Sequence, residues 1–141
     1  MQDCRSVVSL PASFCRLSNL KKLNLGSSSY RNPMKLESLP ERFGQLGNLR
    51  ELNMGGCKSL LSLPDSFCDL SNLTKLSFCD EYGIGCEKLE SLPERFGQLK
   101  SLKELNLRLC DSLKELPAGI PPHILPPLSV ALAISNRPCI N

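Results

Sequence analysis

Leucines recur along the chain in a fixed alternation with polar residues. The motif Leu-x-x-Leu-x-[Leu/Met/Phe] occurs at residues 20–25, 49–54, 73–78 and 102–107. Because every second residue at the end of each motif is apolar, each motif predicts a β-strand with one buried face. One such strand cannot bury its leucines alone, so we expect parallel copies to stack on one another.

A second phrase, Leu-Pro-x-x-Phe, precedes each predicted strand. Its copies begin at Leu10, Leu39, Leu63 and Leu92, and a partial copy begins at Leu116. The spacings alternate between 29 and 24 residues, which sum to a unit of 53. Aligning residues 10–62 with residues 63–115 gives 30 identities in 53 positions, which indicates a tandem duplication of a two-repeat unit.

The combined unit resembles the leucine-rich repeat family, whose strand motif is L-x-x-L-x-L followed by Asn or Cys. The resemblance covers about residues 1–120. It implies a short right-handed solenoid of α/β type with a concave parallel β-sheet, about four full repeats and a partial one. The convex side is expected to be irregular or short helical, closed by Phe14, Leu17 and their equivalents.

The predicted boundaries follow the repeat spacing. Full repeats are expected near 20–48, 49–72, 73–101 and 102–120, with a partial repeat over 1–19 and an irregular Pro-rich apolar tail over 121–141. The first predicted repeat lacks a strand and a polar cap before it, which favours a fragment of a longer array.

Two insertions follow the first and third predicted strands, over Ser27–Asn32 and Asp80–Gly85. Insertions in solenoids protrude on one face, and that face often binds a partner. The alternative is a tolerated surface loop, because added loop length costs little stability. If the loops bind, the candidate contact residues are Ser27, Tyr30, Arg31, Asp80, Glu81 and Tyr82.

The exposed strand positions form columns across the predicted sheet, where neighbouring strands lie about 4.8 Å apart. The flanking, mostly basic column is Lys21, Arg50, Thr74 and Lys103. The alternating charge column is Lys22, Glu51, Lys75 and Glu104. The small polar column is Asn24, Asn53, Ser77 and Asn106, with Arg108 beyond it. These columns predict either a concave face for a protein partner with acidic groups or a solvated face whose alternating charges avoid repulsion.

The eight cysteines follow the repeat rather than a disulfide pattern. Cys57, Cys86 and Cys110 occupy the Asn/Cys slot, where a small side chain turns inward. We expect free buried thiols and a reducing compartment. Cys79 and Cys86 flank one insertion and are the pair to test for disulfide or metal chemistry, although no Cys-x-x-Cys motif is present.

Composition argues against several functions. A net charge of +3, 5% aromatic residues and no Trp are weak for nucleic-acid binding. The single histidine, His123, lies outside the repeats, and no phosphate-binding loop is present, so we expect neither an enzyme nor a bound cofactor or metal. No apolar run has the length of a membrane span. The expected location is the cytoplasm, and the nucleus is the alternative.

The phrase Leu-x-x-Leu-Pro-x-x-Phe and the phrase Cys-x-x-Leu-x-x-Leu-Pro at Cys57, Cys86 and Cys110 resemble the repeat region of plant nucleotide-binding disease-resistance receptors. The resemblance implies a recognition or regulatory module that contacts a pathogen effector, a guarded host protein or a cognate signalling domain. Two alternatives stay open. One is a stand-alone intracellular signalling scaffold, similar to the Ras-group leucine-rich repeat proteins, and the other is a non-functional duplication product.

Overall fold

Four short parallel strands and four 3-10 helices alternate along the chain. The computed structural model describes residues 8–26, 35–114, 116–117 and 119–120. The strands are β1 (Lys22–Asn24), β2 (Glu51–Asn53), β3 (Lys75–Ser77) and β4 (Glu104–Asn106). The 3-10 helices are η1 (Ala12–Arg16), η2 (Phe43–Gln45), η3 (Asp65–Asp69) and η4 (Glu94–Gln98).

Several sequence predictions lie outside the described residues. They concern the start of the partial repeat (1–7), the first insertion with Ser27, Tyr30 and Arg31, and the tail over 121–141. Within the described ranges, no helix combines the length and the apolar content needed to cross a lipid bilayer.

The strands pair in chain order as one parallel sheet, and the repeat sets their register. Lys22 lies beside Glu51, which lies beside Lys75, and equivalent residues continue in step through β4. Each strand has three residues, half the length of the six-residue motif. The reason is that the first leucine of the motif still belongs to the preceding turn, where the Leu49 N–H donates to the Leu46 carbonyl at 3.0 Å.

The Leu-Pro-x-x-Phe phrase begins each turn on the convex side. In every copy the Phe N–H donates to the Pro carbonyl three residues earlier, at 2.9–3.0 Å. Proline suits this position because its fixed φ and extended ψ, −67° and 151° at Pro11, lead the chain into the turn without needing a backbone donor. The short helical convex side is therefore encoded in the phrase itself.

The phenylalanines of these turns stack across the repeats as a spine. The ring centroids of Phe43 and Phe67 lie 5.9 Å apart, and those of Phe67 and Phe96 lie 6.4 Å apart, with nearly parallel planes. All three side chains are at most 1% exposed. Offset stacking of this kind adds about 0.5–1.5 kcal/mol per pair beyond area burial.

The leucines of the strands and turns form one continuous core between the sheet and the spine. Leu46, Leu70 and Leu99, which close the convex side, are at most 2% exposed. Leu17, predicted to do the same, is instead 48% exposed. The prediction is wrong at this position because η1 lies in the first described coil and packs mainly against η2, so one side of Leu17 has no described neighbouring repeat.

Hydrogen bonds outside the sheet also join successive repeats. Asn48 Nδ2 donates to the Ser18 carbonyl, and Asn72 Nδ2 donates to the Gly47 carbonyl, each at 2.6 Å. On the opposite flank, the Glu37 N–H donates to the Val8 carbonyl at 3.0 Å. Asn72 sits in a glycosylation-like sequence, yet its amide group is engaged in holding two repeats together.

A pair of glycines tests the close packing of the convex turns. A Cβ on Gly44 would overlap the backbone carbonyl of Ser66, whereas a Cβ on Gly47 would have its nearest neighbour, the Gln45 carbonyl oxygen, at 3.9 Å. We expect Gly44→Ala to lower the free energy of unfolding by about 1–3 kcal/mol through overpacking. Gly47→Ala, three residues away, is the matched control and is expected to leave it unchanged within about 0.5 kcal/mol. Urea unfolding of both variants decides this, and equal stabilities would contradict the tight turn packing.

Candidate functional site

The concave surface of the sheet forms a shallow depression of about 500 Å³. Three consecutive residues from each of the four strands line it, namely Lys22–Asn24, Glu51–Asn53, Lys75–Ser77 and Glu104–Asn106. The central leucine of each triplet turns toward the core, because side chains alternate across a strand. The outer two residues of each triplet therefore make up most of the surface that a partner would meet.

The alternating charges pair in the way that their register requires. Lys22 Nζ lies 3.3 Å from Glu51 Oε2, and Lys75 Nζ lies 3.7 Å from Glu104 Oε2. These side chains are 39–75% exposed. Exposed pairs of this kind contribute only about 0–1 kcal/mol each, so a partner can replace them at little cost. The alternation leaves the centre of the face nearly neutral.

The small polar column has a structural role that the sequence analysis missed. Asn24 Oδ1 accepts from the Gly26 N–H at 2.8 Å, and Asn53 Oδ1 accepts from the Gly55 N–H at 2.9 Å. Ser77 and Asn106 accept from the N–H two residues further on in the same way. These are side-chain turns that end each strand. The signal was available, because Asn and Ser favour such turns where a strand meets a loop.

The flanking column forms an exposed edge where the strands begin. Lys21, Arg50 and Lys103 are exposed, and their backbone groups hold the edge together, as in the Arg50 N–H bond to the Lys21 carbonyl at 2.7 Å. Thr74 interrupts the cations and is half-buried. Its hydroxyl donates to the Arg50 carbonyl at 3.0 Å, so it contributes to repeat packing rather than to charge.

The described insertion, Asp80–Gly85, folds into a compact hairpin. Asp80 Oδ1 accepts from the Tyr82 N–H at 3.0 Å and from the Ile84 N–H at 2.7 Å. Gly83 has a φ of +79°, and Ile84 is 2% exposed. Asp80 Oδ2 is buried without a hydrogen bond to a described residue, so part of this carboxylate is desolvated at some cost.

The base of this hairpin packs between the turns of its two neighbouring repeats. The Gly56 N–H donates to the Ile84 carbonyl at 2.9 Å. A Cβ on Gly85 would overlap the Leu109 carbonyl in the next repeat. Asp80 is therefore half-buried and structural, whereas the tip residues Glu81 and Tyr82 are exposed. Binding by the insertion therefore stays a prediction, and it concerns the exposed tip rather than the packed base.

The cysteine side chains of the repeat slot bond to the preceding repeat. The Cys57 thiol donates to the Leu25 carbonyl at 3.5 Å, and the Cys86 thiol donates to the Met54 carbonyl at 3.1 Å. Cys79 is turned differently, toward the Asp80 carbonyl. Cys79 and Cys86 are free thiols. In the part of the chain that the structure describes, no cluster of three or more His, Cys, Asp or Glu side chains is placed to hold a metal ion.

Comparison with known proteins finds similar structures among leucine-rich repeat proteins. No protein-family model and no curated protein matches the chain. A leucine-rich repeat protein of Leptospira interrogans is 32% identical with a TM-score of 0.50, over 79% of this chain. The leucine-rich repeat domain of the type III effector XopL is 16% identical with a TM-score of 0.32, over 84% of this chain and 72% of that domain.

The Leptospira likeness and the open four-stranded parallel sheet show a short leucine-rich repeat solenoid, which confirms the predicted fold class. The chain spans 31% of the length of the Leptospira protein. The comparison therefore concerns the repeat array and supports a protein-interaction module.

The environment of the thiols predicts low reactivity. The pKa of the Cys86 thiol is raised mainly by a hydrogen bond with Cys57 and secondly by burial. Burial also raises the pKa of the Cys68 thiol. Because only the thiolate is nucleophilic, we expect both to react with iodoacetamide at about pH 8 at least a hundredfold more slowly in the folded chain than in urea. Peptide mapping by mass spectrometry measures this. Equal rates in the two states would contradict the burial.

Proposed function

We propose that this leucine-rich repeat solenoid is a protein-interaction module, and specifically the recognition or regulatory part of an intracellular plant-type immune receptor. The observation that carries the proposal is the open concave depression of about 500 Å³, lined in register by four strands. Its outer residues present both charges and amide groups at a repeat spacing of about 4.8 Å. Such a surface suits recognition by complementarity with another protein.

The exposed edge indicates the chemistry of the partner. Lys21, Arg50 and Lys103 are exposed on one side of the face, whereas the central ladder pairs its charges internally. Acidic groups on a partner would therefore meet exposed cations that make no ion pair with a described residue at the edge, and a nearly neutral surface at the centre. Partners of the proposed receptor are a pathogen effector, a guarded host protein or a cognate signalling domain, in the cytoplasm or the nucleus.

The receptor assignment is supported by the motif Cys-x-x-Leu-x-x-Leu-Pro. Its cysteines Cys57, Cys86 and Cys110 are at most 1% exposed, and the leucines that follow them are buried as well, except for the half-buried Leu116. The motif thus codes for a packed turn, and it is also the phrase in which the chain resembles the repeats of plant disease-resistance receptors.

Charge reversal tests the contribution of the edge. We expect Lys21→Glu combined with Lys103→Glu to weaken binding of the captured partner about five- to thirtyfold, because each rim cation contributes about 0.5–1 kcal/mol. Partners are captured from plant cytosol on the immobilised chain, identified by mass spectrometry and titrated by calorimetry. The matched control is Lys88→Glu with Lys100→Glu, two exposed lysines away from the concave face, with the same change in net charge.

The outcomes of this titration separate two claims. Equal affinities of the edge variant and the wild type would refute the basic edge. Absence of any saturable protein partner would contradict the interaction module. Circular dichroism of each variant verifies that the fold is unchanged.

The transcript upstream of Met1 tests the receptor assignment directly. We expect an in-frame extension that encodes further repeats and a phosphate-binding loop, because such receptors place a nucleotide-binding domain before the array. Sequencing of the full-length transcript measures this. A stop codon immediately upstream would contradict the receptor and leave a small binding module.

A further inference from the structure

Leu109 has a left-handed backbone conformation that a leucine side chain rarely adopts. Its φ is +59°, and it is the one non-glycine residue with positive φ in the described part of the chain. The equivalent residue of the preceding unit, 53 positions earlier, is Gly56, with a φ of +79°. Glycine adopts this conformation without steric cost, whereas a Cβ is crowded there. The second unit thus carries a leucine where the turn favours glycine.

The strained leucine does not gain burial in return. Leu109 is 44% exposed, so much of its apolar surface faces solvent. Its Cδ1 lies 3.8 Å from the point where a Cβ on Gly83 would be, which places the side chain over the tip of the hairpin. Strain retained together with an exposed apolar side chain is typical of a functional position rather than of packing.

A second large apolar side chain lies at the same end of the face. Tyr82, next to Gly83 in the hairpin tip, is 65% exposed. Arg108 directly precedes Leu109 and is exposed, and its guanidinium makes no ion pair with a described residue. The hairpin thus brings an aromatic, an aliphatic and a cationic side chain to one rim of the sheet. Tyrosine and arginine are, together with tryptophan, enriched at the energetic centres of protein interfaces.

We propose that Leu109 and Tyr82, here called the rim patch, bind an apolar side chain of a partner protein, and that an adjacent acidic residue of that partner pairs with Arg108. The inference rests on the proposed interaction function and names the chemistry of one contact in it. The apolar anchor supplies affinity through burial, and the exposed Arg108 guanidinium selects an acidic neighbour. The fixed position of the hairpin base between two repeats holds the patch in place before binding.

The melting temperature of Leu109→Gly distinguishes a binding role of Leu109 from a packing role. If Leu109 binds rather than packs, Leu109→Gly relieves strain, and we expect the melting temperature to stay the same or to rise. The matched control is Leu61→Gly, because Leu61 is 48% exposed on the convex flank and has no positive φ. That control is expected to melt at or below the wild-type temperature. A clear fall in the melting temperature of Leu109→Gly would assign the leucine to packing and overturn the proposal.

Peptide selection tests the binding itself. The probe is a phage-displayed library of random dodecapeptides, selected on the 141-residue chain and then titrated on each variant. We expect enriched peptides to carry a large apolar residue next to Asp or Glu. Their affinity is expected to fall at least about tenfold on Leu109→Gly and on Tyr82→Ala, and about three- to tenfold on Arg108→Ala. It is expected to be unchanged on Leu61→Gly.

The remaining outcomes distinguish this inference from the proposed function. Peptides that bind Leu109→Gly as well as the wild type, but lose affinity on the Lys21→Glu and Lys103→Glu variant, would overturn the rim patch and leave the interaction module standing. Failure to enrich any peptide would also overturn the rim patch. Sedimentation that shows wild-type dimers and monomeric Leu109→Gly would assign the patch to a second copy of the chain and overturn the separate partner.

Discussion

The constraint on which the whole structure depends is that no repeat can bury its apolar side chains by itself. The three central coils each supply one phenylalanine ring to the convex spine, every coil supplies leucines to the core, and an internal coil is covered by the coils before and after it. Stability is then a sum of similar contacts between neighbours. The same interfaces contain the hydrogen bonds that the side chains of Asn48, Asn72 and Cys86 donate to the preceding repeat. Most residues of the repeat motif therefore serve one kind of interface, the contact between neighbouring repeats.

The sheet and its register could be predicted because period-two alternation and a fixed repeat spacing leave no other pairing. Strand length could not, because the first leucine of each motif looks like a strand residue but donates its N–H to the turn before it. The asparagine column shows a related limit. A polar residue on a strand face can bind a partner or form a hydrogen bond with the local backbone. Asn24 and Asn53 accept hydrogen bonds from the backbone and so end their strands.

The hairpin after β3 shows why the candidate site was harder to predict than the fold. Its length is visible in the sequence, but the packing of its base depends on Gly85 in the loop and on Gly55 and Gly56 in another repeat. Contacts between residues about 30 positions apart leave no local signal. The backbone of Leu109 is likewise invisible to periodicity, since a leucine in a leucine-rich chain attracts no notice until its φ is known.

The order of charges along the sheet has a consequence for how such an array grows. The duplicated unit begins with a lysine strand and ends with a glutamate strand, so the junction between the two units, Glu51 beside Lys75, repeats the chemistry found inside each unit. A recombination event that inserts another whole unit would again set glutamate beside lysine and leucine beside leucine. Gain or loss of 53 residues would therefore lengthen or shorten the recognition surface without creating a new kind of interface. Loss of β2 or of β3 alone would instead set two like charges side by side.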